Sequence, residues 1–181
     1  MTAGPATTPT RREAVRILER GRAKSLDLVE RLSRPDLTRT GIGGGEWSPK
    51  DLLGHLASWE EYALDALAAW ERGERAPIDD LQFSVSTSRI NRQNVEQKSS
   101  WPVARVRREG LRTHTELLAA IQAMTDARWR RPATDRGRRA LGARLGAILG
   151  GPAGPFRHDE SHHSSLRSFV DERVRSPTAR S

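Results

Sequence analysis

Apolar residues recur three and four positions apart in four long stretches of this chain, and nowhere do they alternate with period two over a useful length. That spacing marks the buried stripe of an α-helix and leaves no signal for a sheet. The first stretch runs from Arg11 to about Leu32, with Val15, Leu18, Leu26, Val29 and Leu32 on its stripe. The second carries Leu52, His55, Leu56, Trp59, Ala63, Leu67 and Trp70. The third opens at Ser100-Trp101-Pro102 and carries Val103, Val106, Leu111, His114, Leu117, Leu118, Ile121 and Met124. The fourth spans about Pro155 to Val174, with His158, His162, Ser165, Leu166 and Phe169 facing inward. Four amphipathic helices make an all-α, antiparallel four-helix bundle the economical fold.

The boundaries have chemical signals of their own. Ser48 suits a helix N-cap, Pro49 the first helical position, and Asp51 can reach back as in a capping box. Trp47, just before the cap, is placed to pack on the first turn as a hydrophobic staple. Gly73 closes this helix, and Ser33-Arg34-Pro35 ends the one before it. Between them Arg34 to Glu46 read as a flexible connector with glycines at 41, 43, 44 and 45; no phosphate-binding pattern follows them. Residues 74–100 are polar and read as a long crossover link holding one short helix near Arg89 to Gln97. Thr125 to Trp129 end the third helix, and Leu141, Leu145, Ile148 and Leu149 anchor a short helix within 130–155. A length of 181 residues, 35% of them hydrophobic, supports one core. The expected organisation is one domain over 11–174, with disordered tails at 1–10 and 175–181.

Cysteine is absent, which excludes disulfides, thiolate ligands and a cysteine nucleophile. No apolar run is long enough for a membrane span and the N-terminus lacks a signal-peptide plan, so a cytoplasmic location is expected, with no membrane partner. The net charge is +8, and 28 of the 31 basic residues are arginine, a bias typical of a GC-rich bacterial genome. Arg128, Arg130, Arg131, Arg136, Arg138, Arg139 and Arg144 cluster against a single acid, Asp135. Such a patch could hold phosphates, as a DNA-binding surface does, but a solvated arginine-rich loop is the simpler account. The oligomeric state is left as monomer or homodimer.

The chemistry concentrates in the histidines. His158 and His162, four residues apart, stack on one helix face, and His55 lies on the inward face of the second helix. Each alone is ordinarily a hydrogen-bonded core or helix-start residue. Jointly, three imidazoles from two helices point to a site for zinc, nickel or iron with coordination positions left open. His163 points about 100° away from His162. His114 is either core or an acid/base near the pocket. Glu60 lies off the main stripe and reads as solvated, and Asp159 and Glu160 as favourable charges in a helix's first turn. Trp59, one turn beyond His55, is placed to line a pocket; residues of the 74–100 link, Asn91 and Asn94 among them, are candidates to shape it, as are Glu60 and His114.

The run Gly45-Glu46-Trp47-Ser48-Pro49-Lys50-Asp51-Leu52-Leu53-Gly54-His55-Leu56-Ala57-Ser58-Trp59-Glu60 resembles the signature of the DinB-like superfamily, nearest to its ClbS/DfsB branch. Ile90-Asn91-Arg92-Gln93-Asn94, Met124 to Trp129, and His158-Asp159-Glu160-Ser161-His162 resemble further blocks in family order. The resemblance implies a four-helix bundle whose second and last helices bind a divalent metal, here through His55, His158 and His162. It implies action on a reactive electrophilic small molecule. One route is hydrolytic ring opening of the kind that gives self-resistance in the ClbS/DfsB branch. The other is transfer or isomerisation with an external thiol such as mycothiol. Asp159 departs from the family pattern, standing where an aromatic is common after the first histidine.

Overall fold

Helix α2 (Pro49–Glu71) begins as its sequence dictates. The Ser48 side chain accepts from the Asp51 backbone N–H, and the Asp51 carboxylate accepts from the Ser48 backbone N–H at 3.0 Å. The same reciprocal cap opens α1 (Arg11–Glu30), between Thr10 and Glu13. Thr10, grouped with the tail by sequence, is therefore the N-cap of the first helix, and the Pro9 carbonyl accepts from Trp129 Nε1 at 3.0 Å. The computed structural model describes residues 8–134 and 137–175. Arg136 and the tail residues 1–7 and 176–181 lie outside them.

Among the described residues the fold is all-helical, with eight α-helices and no strand. Beyond α1 and α2 these are α3 (Pro77–Ser84), α4 (Thr87–Lys98), α5 (Val103–Ala123), α6 (Asp126–Arg130), α7 (Leu141–Ile148) and α8 (His158–Arg175). The long helices pack α2 on α5, α1 on α8 and α1 on α5, with α2 also touching α8.

Three segments differ from the sequence reading. The 74–100 link holds two helices rather than one, and both α3 and α4 pack on α2. Buried Ile78 and Ile90 anchor them, a signal too sparse to show as periodicity. The glycine-rich connector is a defined turn. Trp47 and Ile42 pair through Trp47 N–H to Ile42 C=O at 3.0 Å and Ile42 N–H to Trp47 C=O at 2.9 Å. Gly43, Gly44 and Gly45 close that turn with φ of 63°, 86° and 100°, conformations that side chains disfavour. The last helix begins at His158 instead of Pro155. Buried Phe156 has φ 61°, which no right-handed helix accommodates. Its N–H donates to Gly146 C=O at 3.3 Å, and His158 N–H donates to Leu149 C=O at 3.1 Å. The start of α8 is thereby tied to the end of α7.

The core consists of two apolar clusters. One holds Leu18, Trp59, Leu67, Trp70, Leu117, Ile121 and Phe156; the other holds Leu28, Leu52, Leu56, Val106, Leu166 and Phe169. Each long helix changes its contents between them. Arg22 and Ser25 lie between Leu18 and Leu28 on α1, and Gly110, Thr113 and His114 between Val106 and Leu117 on α5. His55, Ser58 and Glu60 occupy the corresponding part of α2, and the histidines open α8. A polar layer thus crosses the middle of the protein.

Candidate functional site

The capped start of α2 places His55 in its second turn, 1% exposed. The α7–α8 connection places His158 and His162 one turn apart at the start of α8. His55 Nε2 and His158 Nε2 lie 2.9 Å apart, and His158 Nε2 and His162 Nε2 lie 3.3 Å apart. One ligand atom from each ring lies within 4.8 Å of the others, so the three form a cluster that could hold a metal ion.

The donor set fits such an ion. Imidazole binds a metal as the neutral ring. Burial pushes the pKa of all three rings down, with the neighbouring imidazoles adding to the effect; His158 falls to about 3 and His55 well below the ordinary value. All three are therefore neutral at pH 7. Two nitrogens bound tetrahedrally to one zinc ion at about 2.0–2.1 Å stand about 3.3–3.4 Å apart, which matches the 3.3 Å His158–His162 spacing and exceeds the 2.9 Å His55–His158 one.

Aromatic packing and the contacts between the imidazoles themselves orient the rings. Among the described residues, Nδ1 of His55 and Nδ1 of His158 are buried without a hydrogen-bond partner. The Trp47 ring lies 4.8 Å from that of His55 and 6.2 Å from that of His162. Trp59 meets the His158 ring edge-on at 5.9 Å. Trp47 thus contacts the site as well as packing against the cluster that holds Leu52.

The nearby carboxylates serve elsewhere. Glu60 is 3% exposed, not solvated: its Oε1 lies 2.6 Å from His114 Nδ1 and 3.2 Å from an Arg22 nitrogen, and its Oε2 accepts from Thr113 Oγ1 at 3.2 Å. Asp159 is more than a first-turn charge. It is 7% exposed, accepts from Ser25 Oγ at 2.6 Å and pairs with Arg22 Nε at 3.2 Å. Burial pushes the Asp159 carboxyl up, but the Arg22 charge and the hydrogen bonds from Ser25 and Arg22 outweigh it and hold the pKa below the usual value. His163 faces α1, 3.1 Å from both Ser25 Oγ and Gly21 O. Glu61 pairs with Lys98, and Glu160 with Arg157. Arg22 and Ser25 were missed by sequence reasoning; their signal was the interruption of the α1 stripe between Leu18 and Leu26.

The three histidines line a cavity of about 320 Å³ together with Trp59 and Asn91. Asn94, Glu60 and His114 do not line it: Asn94 Oδ1 accepts from Tyr62 OH at 2.7 Å, while Glu60 and His114 pair in the core. Gln82 of α3 and Thr87 of α4, both in the 74–100 link expected to shape the pocket, also line it, as do Ile148 of α7, Ser161 of α8 and the Gly150-Gly151-Pro152 turn, which were not singled out from the sequence as pocket residues. The turn packs tightly on α8, since a Cβ at Gly151 would lie 2.5 Å from Ser161 Oγ. Ser161 Oγ in turn accepts from Ala153 N–H at 3.3 Å and donates to Arg157 C=O at 3.0 Å.

The arginine cluster is partly committed within the fold. Arg128 donates to the Pro132 and Ala133 carbonyls at 2.8 and 3.0 Å. Arg144 pairs with Asp79 and lies 4.9 Å over the Trp70 ring. Arg130, Arg131, Arg138 and Arg139 are exposed. Among the described residues, no helix is long and apolar enough to cross a membrane.

No curated protein shows significant similarity to the chain. An uncharacterised protein from Escherichia coli UTI89, known from its crystal structure, is similar in fold, with a TM-score of 0.70 at 13% identity over 90% of this chain and 94% of that one. The model of the DinB superfamily matches residues 17–150, a span that includes His55 and stops before α8. Matched over well more than half its length, the chain belongs to the DinB superfamily.

Proposed function

We propose that this protein detoxifies, or confers self-resistance to, a reactive electrophilic small molecule, by hydrolytic ring opening of the ClbS/DfsB type at a centre held by His55, His158 and His162. The observation that carries this reading is the convergence of three neutral imidazole nitrogens at the wall of a 320 Å³ cavity. The chain's long helices α1, α2, α5 and α8 act as a four-helix bundle that holds the cluster between two apolar layers.

A divalent ion bound there supplies Lewis acidity, which lowers the pKa of water and polarises an electrophile. The protein's own residues do the rest. The three histidines, neutral at pH 7, would each offer one ring nitrogen as a ligand, with the ring proton carried on the other nitrogen. Trp59 and Ile148 give the cavity an apolar part of its wall. In the reaction, a water oxygen bonds to the electrophilic carbon of a strained ring, the ring bond breaks, and the released atom takes up the proton that water loses.

The test is hydrolysis of a neutral strained-ring probe such as styrene oxide, followed with and without added thiol. Thiol-independent turnover, abolished by His55→Ala, supports the proposal. Turnover only with added mycothiol assigns the site to thiol transfer or isomerisation instead. A third reading, DNA protection through Arg130, Arg131, Arg138 and Arg139, predicts steeply salt-dependent DNA binding and no turnover.

A further inference from the structure

None of the residues lining the histidine cavity is aspartate, glutamate, lysine or arginine. In the metal-free cavity, with its histidines neutral, an organic ion would shed water without gaining a fixed countercharge from the side chains around it. The polar groups on the wall away from the histidines are neutral: Gln82, Thr87 and Asn91.

Asn91 is held in one orientation. Trp59 Nε1 lies 3.0 Å from Asn91 Oδ1, and an indole N–H can only donate. The amide must therefore turn its oxygen to the indole, which leaves the NH2 end as its free pole. Asn91 is only partly buried and lines the cavity, and its nitrogen is not among the buried polar atoms that lack partners. Trp59 is itself 5% exposed and meets the His158 ring edge-on at 5.9 Å. One tryptophan thus abuts a histidine of the cluster and holds the oxygen end of a cavity-lining amide.

We infer that Asn91 is the specificity-determining residue of this cavity: its Trp59-locked amide donates hydrogen bonds to an acceptor oxygen, such as a carbonyl, of an uncharged substrate seated against the histidines. This rests on the cavity being the reaction site proposed above, but it concerns the organic ligand alone and is tested without metal. Tyr62 OH donates to Asn94 Oδ1 at 2.7 Å, but a phenol can also accept, and Asn94 lies outside the cavity and carries no such role.

The experiment is a titration of chelator-treated, ¹⁵N-labelled protein with 2-pyrrolidone, a neutral lactam, and separately with acetate, a small anion. The Asn91 side-chain NH2 pair is assigned by its absence from Asn91→Asp. The lactam should shift this pair and the Trp59 indole signal, while acetate at equal concentration leaves them in place. Asn91→Asp keeps the acceptor for Trp59 but replaces the free donor with an acceptor, and should weaken lactam binding by about tenfold or more. Trp59→Phe frees the amide to flip and should narrow the preference for lactam over acetate. An unmoved Asn91 pair, a larger response to acetate, or unchanged lactam binding by Asn91→Asp would overturn the inference. Loss of the hydrolytic reading with these shifts intact would leave a neutral-ligand binding site. Loss of the shifts with hydrolysis intact would leave an enzyme that reads its substrate elsewhere.

Discussion

His55 Nε2 and His158 Nε2 lie 2.9 Å apart although 103 residues separate them in sequence. Two neutral imidazoles meeting nitrogen to nitrogen satisfy each other only if one donates and the other accepts. A third, His162, then approaches the same nitrogen of His158 at 3.3 Å. Three such rings around one point compete for a single hydrogen-bond arrangement, whereas one cation satisfies all three lone pairs. This competition is the physical reason to expect an ion.

Metal should therefore stabilise the fold. An ion that binds only the folded state adds about 4 kcal/mol at a concentration a thousand times its Kd. Thermal unfolding with zinc or nickel should show a rise in Tm over chelator-treated protein, and His162→Ala should reduce that rise.

The chelator-treated protein should lose stability in mild acid. Burial lowers the pKa of His55, His158 and His162 in the folded state, while the unfolded rings titrate near the ordinary value of 6.5. Below that value the unfolded chain binds protons that the folded chain refuses, so stability falls as pH falls. For His158 the loss continues down to about 3. Each histidine contributes a slope of up to about 1.4 kcal/mol per pH unit. Urea unfolding between pH 7.5 and 4.5 should show this decline, and a His55→Ala/His158→Ala variant should show a shallower one.

Breaking the buried ion network should be costly. Arg22 sits between Asp159 and Glu60, with all three side chains under 10% exposed. Asp159→Ala removes one partner from a buried cation and should cost about 3–5 kcal/mol. Arg22→Ala should cost a similar amount. The double variant should cost less than the sum, because the two residues share one interaction. Strict additivity in urea unfolding would contradict the pairing.

The cavity wall should tolerate no side chain at position 151. A Cβ there would lie 2.5 Å from Ser161 Oγ and 3.1 Å from Ser161 Cβ. Gly151→Ala should destabilise by about 1–3 kcal/mol through overpacking. Pairing it with Ser161→Gly should restore most of that loss in thermal unfolding.

The legible parts of this protein were those encoded within a few residues. Ser48, Pro49 and Asp51 announce α2 because a helix cap is a local device. His158 and His162 announce a shared face because one turn separates them. Their meeting with His55 was suggested by the inward faces of two helices and supported by the family resemblance. The unread parts depend on contacts between distant segments. Glu60 reads as solvated until Arg22 and His114 arrive from other helices to balance it. The α7–α8 turn hides the strained Phe156, whose conformation is held by burial of its ring against Trp129, 5.7 Å away and nearly parallel. Helix α3 is short, and Ile78 is its only buried residue, so its sequence lacks the repeat that marks longer helices.

The central claim is that His55, His158 and His162 form one metal centre, and elemental analysis of the purified protein tests it most directly. The protein should carry about one equivalent of zinc, nickel or iron, and the folded His55→Ala/His158→Ala variant should carry none. A protein that takes up no ion even after these metals are added, or a variant that retains the full equivalent, would contradict it.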